Sequence, residues 1–135
     1  MNKPLIILVL LFSFSCRHTP VNCSNIKYKN GVSYLNNEPF SGECFSYYQT
    51  GIIRSHQKYK NGLDDGEWNF FHPNSKLETQ SFFKNGKRIG DWRYYFYNGN
   101  IKQESFYTNT GAKTGVWLIY NEKGDTIKKI NHNNQ

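Results

Sequence analysis

Gly66-Glu67-Trp68-Asn69-Phe70-Phe71, a turn at Asn74-Ser75, then Leu77 through Phe83-Lys84-Asn85-Gly86-Lys87-Arg88-Ile89-Gly90 is the stretch whose reading decides the fold, because the chain repeats it. The next segment opens Gly90-Asp91-Trp92-Arg93-Tyr94-Tyr95, turns at Asn98-Gly99 and returns from Ile101 to Phe106-Tyr107. Gly42, Gly66, Gly90 and Gly115 open units at steps of 24, 24 and 25 residues, a period that signals a repeat architecture. Two residues after each opening glycine stand Cys44, Trp68, Trp92 and Trp117; three beyond those stand Tyr47, Phe71, Tyr95 and Tyr120. Ile53, Leu77 and Ile101 follow the mid-unit turn, and Tyr59, Phe83 and Tyr107 come six residues later. The fourth unit lacks a second half on this pattern, and Tyr34 to Gly42 reads as the back half of a degenerate earlier unit, giving about three and a half repeats.

Each half-unit is an aromatic and β-branched run bounded by turn residues. Asn61-Gly62, Asn85-Gly86 and Asn98-Gly99 suit type I′ turns, which need positive φ at both central residues; Thr50-Gly51 and Lys123-Gly124 are weaker versions. Every unit then becomes one antiparallel hairpin, and the predicted fold is all-β, an elongated antiparallel β-meander. Residues two and five after the opening glycine point to opposite faces of a regular strand, so the tryptophans Trp68, Trp92 and Trp117 are expected to form a stacked spine. The row Tyr47, Phe71, Tyr95 and Tyr120 is then either exposed on the other face or buried by a bulge or by curling of the sheet.

The opening Gly-x-Trp-x-x-aromatic, the turn, the aliphatic residue and the closing aromatic-x-Asn-Gly-Lys-x-x-Gly resemble the bacterial variant of the MORN (membrane occupation and recognition nexus) repeat. The resemblance runs from about Tyr34 to Ile127 and is best from Gly66 to Gly90. It departs at Cys44, which replaces the tryptophan, at Asn74-Ser75, and at Thr110 to Thr114, which carries one extra residue. It implies a hairpin-repeat sheet in a functionally mixed family, many of whose bacterial members carry an antitoxin-type label.

The beginning of the chain reads as an export signal. Lys3 precedes the apolar run Leu5 to Phe12, which is too short to span a bilayer, and Ser13 and Ser15 are small residues ahead of Cys16. Residues 1–15 are thus a signal peptide and 16–31 an N-terminus and tether, before a repeat domain over 32–128 and a polar tail over 129–135. The segment resembles a lipoprotein signal, which implies acylation of Cys16 and an outer-membrane anchor; ordinary cleavage at the same bond would leave a soluble secreted or periplasmic protein. Cys23 and Cys44 then remain as a pair in an oxidising compartment, either as a disulfide or as separate thiols. Four-ligand metal spacing is absent, and no cofactor is indicated.

The charge is +7, and removal of Lys3 from the 17 basic residues leaves 16 against 10 acidic. Lys84, Lys87, Arg88 and Arg93 gather around one inter-unit loop, as a basic patch for an anionic partner or as a solubilising face. Export argues against nucleic acid. His18, His56, His72 and His132 are scattered, and Ser41, Ser46 and Ser105 lack the setting of an activated nucleophile, so catalysis is not expected. Three function classes stand: a non-catalytic binding or scaffold module on the cell envelope, an antitoxin-like or immunity protein, and an envelope hydrolase. For the first, the expected partner surface is Tyr47, Phe71, Tyr95 and Tyr120 flanked by Lys84, Lys87 and Arg88, facing an envelope protein or glycan.

Overall fold

The computed structural model describes residues 20–133. Its strands are β1 (Val21–Asn22), β2 (Lys27–Lys29), β3 (Val32–Leu35), β4 (Glu38–Pro39), β5 (Gly42–Tyr47), β6 (Ile53–Lys60), β7 (Leu63–Asp64), β8 (Gly66–Phe71), β9 (Leu77–Lys84), β10 (Lys87–Tyr95), β11 (Ile101–Tyr107), β12 (Lys113–Tyr120) and β13 (Thr126–Asn131). From β5 onward the strands pair antiparallel in the order β5-β6-β8-β9-β10-β11-β12-β13, with the short β7 also on β6, so the hairpins make one long ribbon; β1 adds in parallel on β5, and β2, β3 and β4 form a small second sheet. The expected all-β meander is the fold, and the described residues hold no α-helix.

Two turn chemistries occur along the ribbon, and the Thr108–Ala112 turn carries the second kind on the edge of the first. On one edge Asn61-Gly62 and Asn85-Gly86 hold φ of 51° and 78°, and of 49° and 76°, the positive pair of a type I′ turn. Gly62 has a second reason to be glycine: a Cβ there would run into Val32 and lie 2.9 Å from the Ser33 carbonyl, where the small sheet docks through the Ser33 N–H to Gly62 carbonyl bond of 2.8 Å. On the other edge Asn98-Gly99 departs from expectation, since only Gly99 has positive φ, 95°. The Phe96 carbonyl accepts from the Gly99 N–H and the Phe96 N–H donates to the Asn100 carbonyl, both at 2.8 Å. Asn98 Oδ1 accepts from the Asn100 N–H at 2.9 Å, which holds Asn98 out of the left-handed region. The same pair of backbone bonds closes the turns at Tyr48, His72 and Asn121.

Bulges then set which side chains face where. Ser46 pairs with Ser55 but Tyr47 with Ile53, so Arg54 is an extra residue; Glu78, Lys102 and Ile127 are its equivalents. This extra residue shifts the alternation, so Ile53 faces with Tyr47 while Tyr59 faces with the tryptophans. On the other side of each hairpin Gly90, Asp91 and Trp92 lie opposite the single residue Ser81, and Gly115, Val116 and Trp117 opposite Ser105. Such a bulge strands carbonyls, and the indoles answer them: Trp68, Trp92 and Trp117 Nε1 donate to the carbonyls of Lys58, Phe82 and Phe106 at 2.8, 3.2 and 3.2 Å. Ser81 and Ser105, 2% and 1% exposed, supply the small side chain that the close approach demands.

The core is a line of rings on one face. Phe40, Tyr59, Trp68, Phe83, Trp92, Tyr107, Trp117 and His132 follow one another at centroid distances of 5.5, 5.1, 4.9, 5.0, 5.4, 5.4 and 4.5 Å. Tilted contacts of this kind add to the stability from buried area. His132 completes the fourth unit, 25 residues after Tyr107, so the repeat does not end at residue 128. Its N–H donates to the Gly115 carbonyl at 2.9 Å, and β13 belongs to the sheet rather than to a polar tail.

The tether is also shorter than its composition suggests. Cys23 is disulfide-bonded to Cys44, with Cα atoms 5.0 Å apart, which draws Val21 and Asn22 beside Cys44 and Phe45 as a parallel strand. Residues 20–31 are therefore part of the folded unit, while Cys16, His18 and the apolar run lie outside the described residues.

Candidate functional site

Tyr47, Phe71, Tyr95 and Tyr120 end β5, β8, β10 and β12, on the face opposite the spine; the residues next to them, Phe70 and Tyr94, share the spine face with Trp68 and Trp92, each at 6.5 Å. By register each row residue meets Ile53, Leu77, Ile101 or Thr126 across its hairpin. The result is a stripe along the turn edge, its aromatics roughly 10 Å apart at two strand spacings. Tyr47 and Ile53 are the most open, at 47% and 40% exposed, and Phe71, Tyr95 and Tyr120 are half-buried. Ile52, Ile53 and Phe71 line a shallow hollow of about 270 Å³.

Beside the stripe runs a polar row. Register places Phe45, His56, Asn69, Gln80, Arg93 and Glu104 one after another across the sheet. His56 lies 2.8 Å and Lys58 3.1 Å from Glu43, and these hydrogen bonds hold the Glu43 carboxyl below the usual range. Glu67 is lowered by hydrogen bonds from Gln80 and Asn69, at 2.8 and 3.1 Å. Arg93 lies 3.4 Å from both Asp91 and Glu104, and Glu104 accepts from the Tyr120 hydroxyl at 2.7 Å, which raises that phenol.

The basic cluster expected beside the aromatics does not sit there. Lys84 pairs with Asp65 at 3.3 Å, Lys87 follows the Asn85-Gly86 turn, and Arg93 is held on the opposite face from Arg88. Tyr95 is at the far end of β10 from Lys87, about 26 Å away at the rise of an extended strand. Arg88 instead covers the spine: its guanidinium lies 4.6 Å from the Trp92 ring, and it donates to the Tyr107 hydroxyl at 3.3 Å. Lys113 takes the equivalent place over Trp117, at 5.0 Å. The cations at the stripe's own edge are Arg54 and Lys102, lying over Tyr48 and Phe96 at 5.9 and 5.8 Å. Their spacing with Glu78 is the 24-residue period itself, a signal the tally of opening glycines passed over.

The turns of this edge are stitched unit to unit. Tyr48 donates to the Phe71 carbonyl at 2.6 Å, Asn74 to Tyr97 at 2.9 Å and Asn100 to Glu122 at 2.8 Å, while a His72 ring nitrogen lies 3.1 Å from the Tyr95 carbonyl. The stripe therefore stands on a braced edge. Among the described residues no three His, Cys, Asp or Glu side chains converge as a metal set would require.

A ribbon of about 24-residue hairpins with a tryptophan spine defines a hairpin-repeat protein. The profile described as "MORN repeat variant" matches residues 40–61, 64–85 and 88–109, so these three units are repeats of that type. No curated protein matches the chain. Of solved structures, a mutant of S. aureus TarM in complex with Fondaparinux, alpha-GlcNAc-glycerol and UDP is similar over 86% of this chain and 23% of its own, with 15% identity and a TM-score of 0.44. The GtfA/B complex bound to UDP and GlcNAc is similar over 84% and 26%, with 10% identity and a TM-score of 0.33. The chain thus spans about a quarter of the length of either structure.

Proposed function

We propose that this protein is a non-catalytic binding or scaffold module of the cell envelope, which engages a protein or glycan partner through the edge stripe of Tyr47, Phe71, Tyr95 and Tyr120. The observation that carries this reading is the recurrence, in four hairpins and in register, of a ring on the face that the spine leaves free. Rings on a braced edge offer contact area at low entropic cost. Capture of envelope proteins and glycans by the purified protein is the first test. Tyr47→Ala should weaken capture about tenfold with the melting temperature kept; undiminished capture by a folded Tyr47→Ala and Tyr95→Ala double variant refutes the stripe.

Anchoring is the second part of the proposal: Cys16 is acylated, and each buried methylene adds ~0.8 kcal/mol of membrane affinity. Cys16→Ser should move the protein into the soluble fraction. Unchanged detergent partitioning of that variant rules the anchor out.

A further inference from the structure

A groove of about 420 Å³ lies at the turn end of the third hairpin, lined by Tyr94 of the spine face and by Tyr95 and Phe96 where the strand ends. Its floor is the cross-strand row Thr79, Tyr94 and Gln103, fixed by register. At the position of Tyr94 the other units carry Ser46, Phe70 and Ile119, so a hydroxylated ring is particular to this hairpin. Tyr97 stands at the rim, 58% exposed and in contact with the His72 ring at 5.4 Å. Around it lie Glu78, Lys102 and Glu122. None of these three makes an ion pair among the described residues. Gln103 donates its amide N–H to Ser105 at 2.7 Å, which leaves its carbonyl oxygen to accept.

These groups match one kind of ligand. A sugar ring has a C–H face that lies against an aromatic ring, and hydroxyls that need planar carboxylate and amide acceptors around that face. The volume falls within the range of small-molecule sites, ~300–1,000 Å³, and suits a short segment. Two carboxylates against one ammonium disfavour an anionic chain. We propose that this groove is a carbohydrate-binding cleft for a short neutral or amino-sugar segment. The assignment rests on reading the ribbon as a binding module; the groove shares Tyr95 with the stripe but not Tyr47.

The test is titration of the ¹⁵N-labelled protein with chitotriose, cellotriose and mannotriose as neutral probes, chitosan trimer as the amino probe and trigalacturonate as the acidic one. Amide shifts should gather at Glu78, Thr79, Tyr94, Tyr97, Lys102, Gln103 and Glu122 with at least one neutral or amino trimer. Tyr97→Ala and Glu122→Gln should each weaken that binding about tenfold at an unchanged melting temperature. Tyr47→Ala, two hairpins away, should leave it intact. Silence from every neutral and amino trimer, or shifts with trigalacturonate alone, overturns the assignment. Sugar binding that survives while Tyr47→Ala still captures the envelope partner undiminished leaves the groove standing and the stripe refuted. The reverse pattern refutes the groove alone.

Discussion

One position per unit, two residues before the opening glycine, is Phe40, Asp64, Arg88 and Lys113 in turn, and the last two place a cation over their unit's tryptophan, at 4.6 and 5.0 Å. Burial raises the Asp64 carboxyl, and burial with the nearby Asp64 pushes the Tyr59 phenol up to about 12. Asp64→Arg should replace a charge that burial disfavours with a cation–π contact, raising stability at pH 7 by roughly 0.5–1 kcal/mol; a lower melting temperature for that variant contradicts this reading. Glu43 and Glu67 work in the other sense. Their folded values lie below the ordinary 4.5, so their contribution is present above about that pH and is lost as pH falls through the folded values. Melting temperature should drop on acidification below 4.5, and less steeply in Glu67→Gln. Trp92, 5% exposed, is the most demanding site. Trp92→Ala should cost about 3–5 kcal/mol, whereas Tyr97→Ala should stay within about 0.5 kcal/mol of wild type.

At the level of the hairpin, much was legible beforehand. Glycine spacing, Asn-Gly dipeptides and the two aromatic series gave strand order, the type I′ turns at residues 61–62 and 85–86, and the opposite facing of Trp92 and Tyr95. Other features turn on geometry that residue type does not announce. Asn98-Gly99 has the same letters as Asn85-Gly86, yet the Asn98 side chain caps its own turn and selects a different loop. Lys87 and Arg88 lie close in sequence to Tyr95, but seven residues of extended strand separate Lys87 from that ring. His132 was missed as a spine member because imidazole is not among the ring types that fill the other units. The groove at Tyr94 lies where the units differ, and a repeat announces only what its units share. The disulfide belongs to this scale too. Its sequence separation of 21 residues corresponds to about 3 kcal/mol in the chain-entropy picture. Cys23→Ser should lower stability by about that amount and open the β5 amides to hydrogen exchange, leaving β10 protected; uniform loss across the ribbon would show that units do not stand on nearest neighbours.

Across the whole molecule, stability runs along the ribbon rather than toward a centre, and the ends matter most. The small sheet docked on Gly62 closes one end of the spine, and His132 on Trp117 closes the other. A chain stopped after Gly124 loses β13 and bares Trp117; we expect a loss of about 3 kcal/mol or more, roughly 10–20 °C in melting temperature for a domain of this size. Retention of the full melting temperature would mean that the last strand is ornamental. The ring line also makes the protein its own optical probe. Tyr59 touches Trp68 at 5.1 Å and Tyr107 touches Trp92 and Trp117 at 5.4 Å each, so light absorbed by these phenols passes to indoles before it can be emitted. Indoles held roughly 10 Å apart along the ribbon also exchange excitation among themselves, and their emission is depolarised even in a rigid molecule. Fraying from the His132 end takes Trp117 out of that relay first and leaves Tyr107 coupled to Trp92, so rising anisotropy without a return of tyrosine emission reports that end of the ribbon.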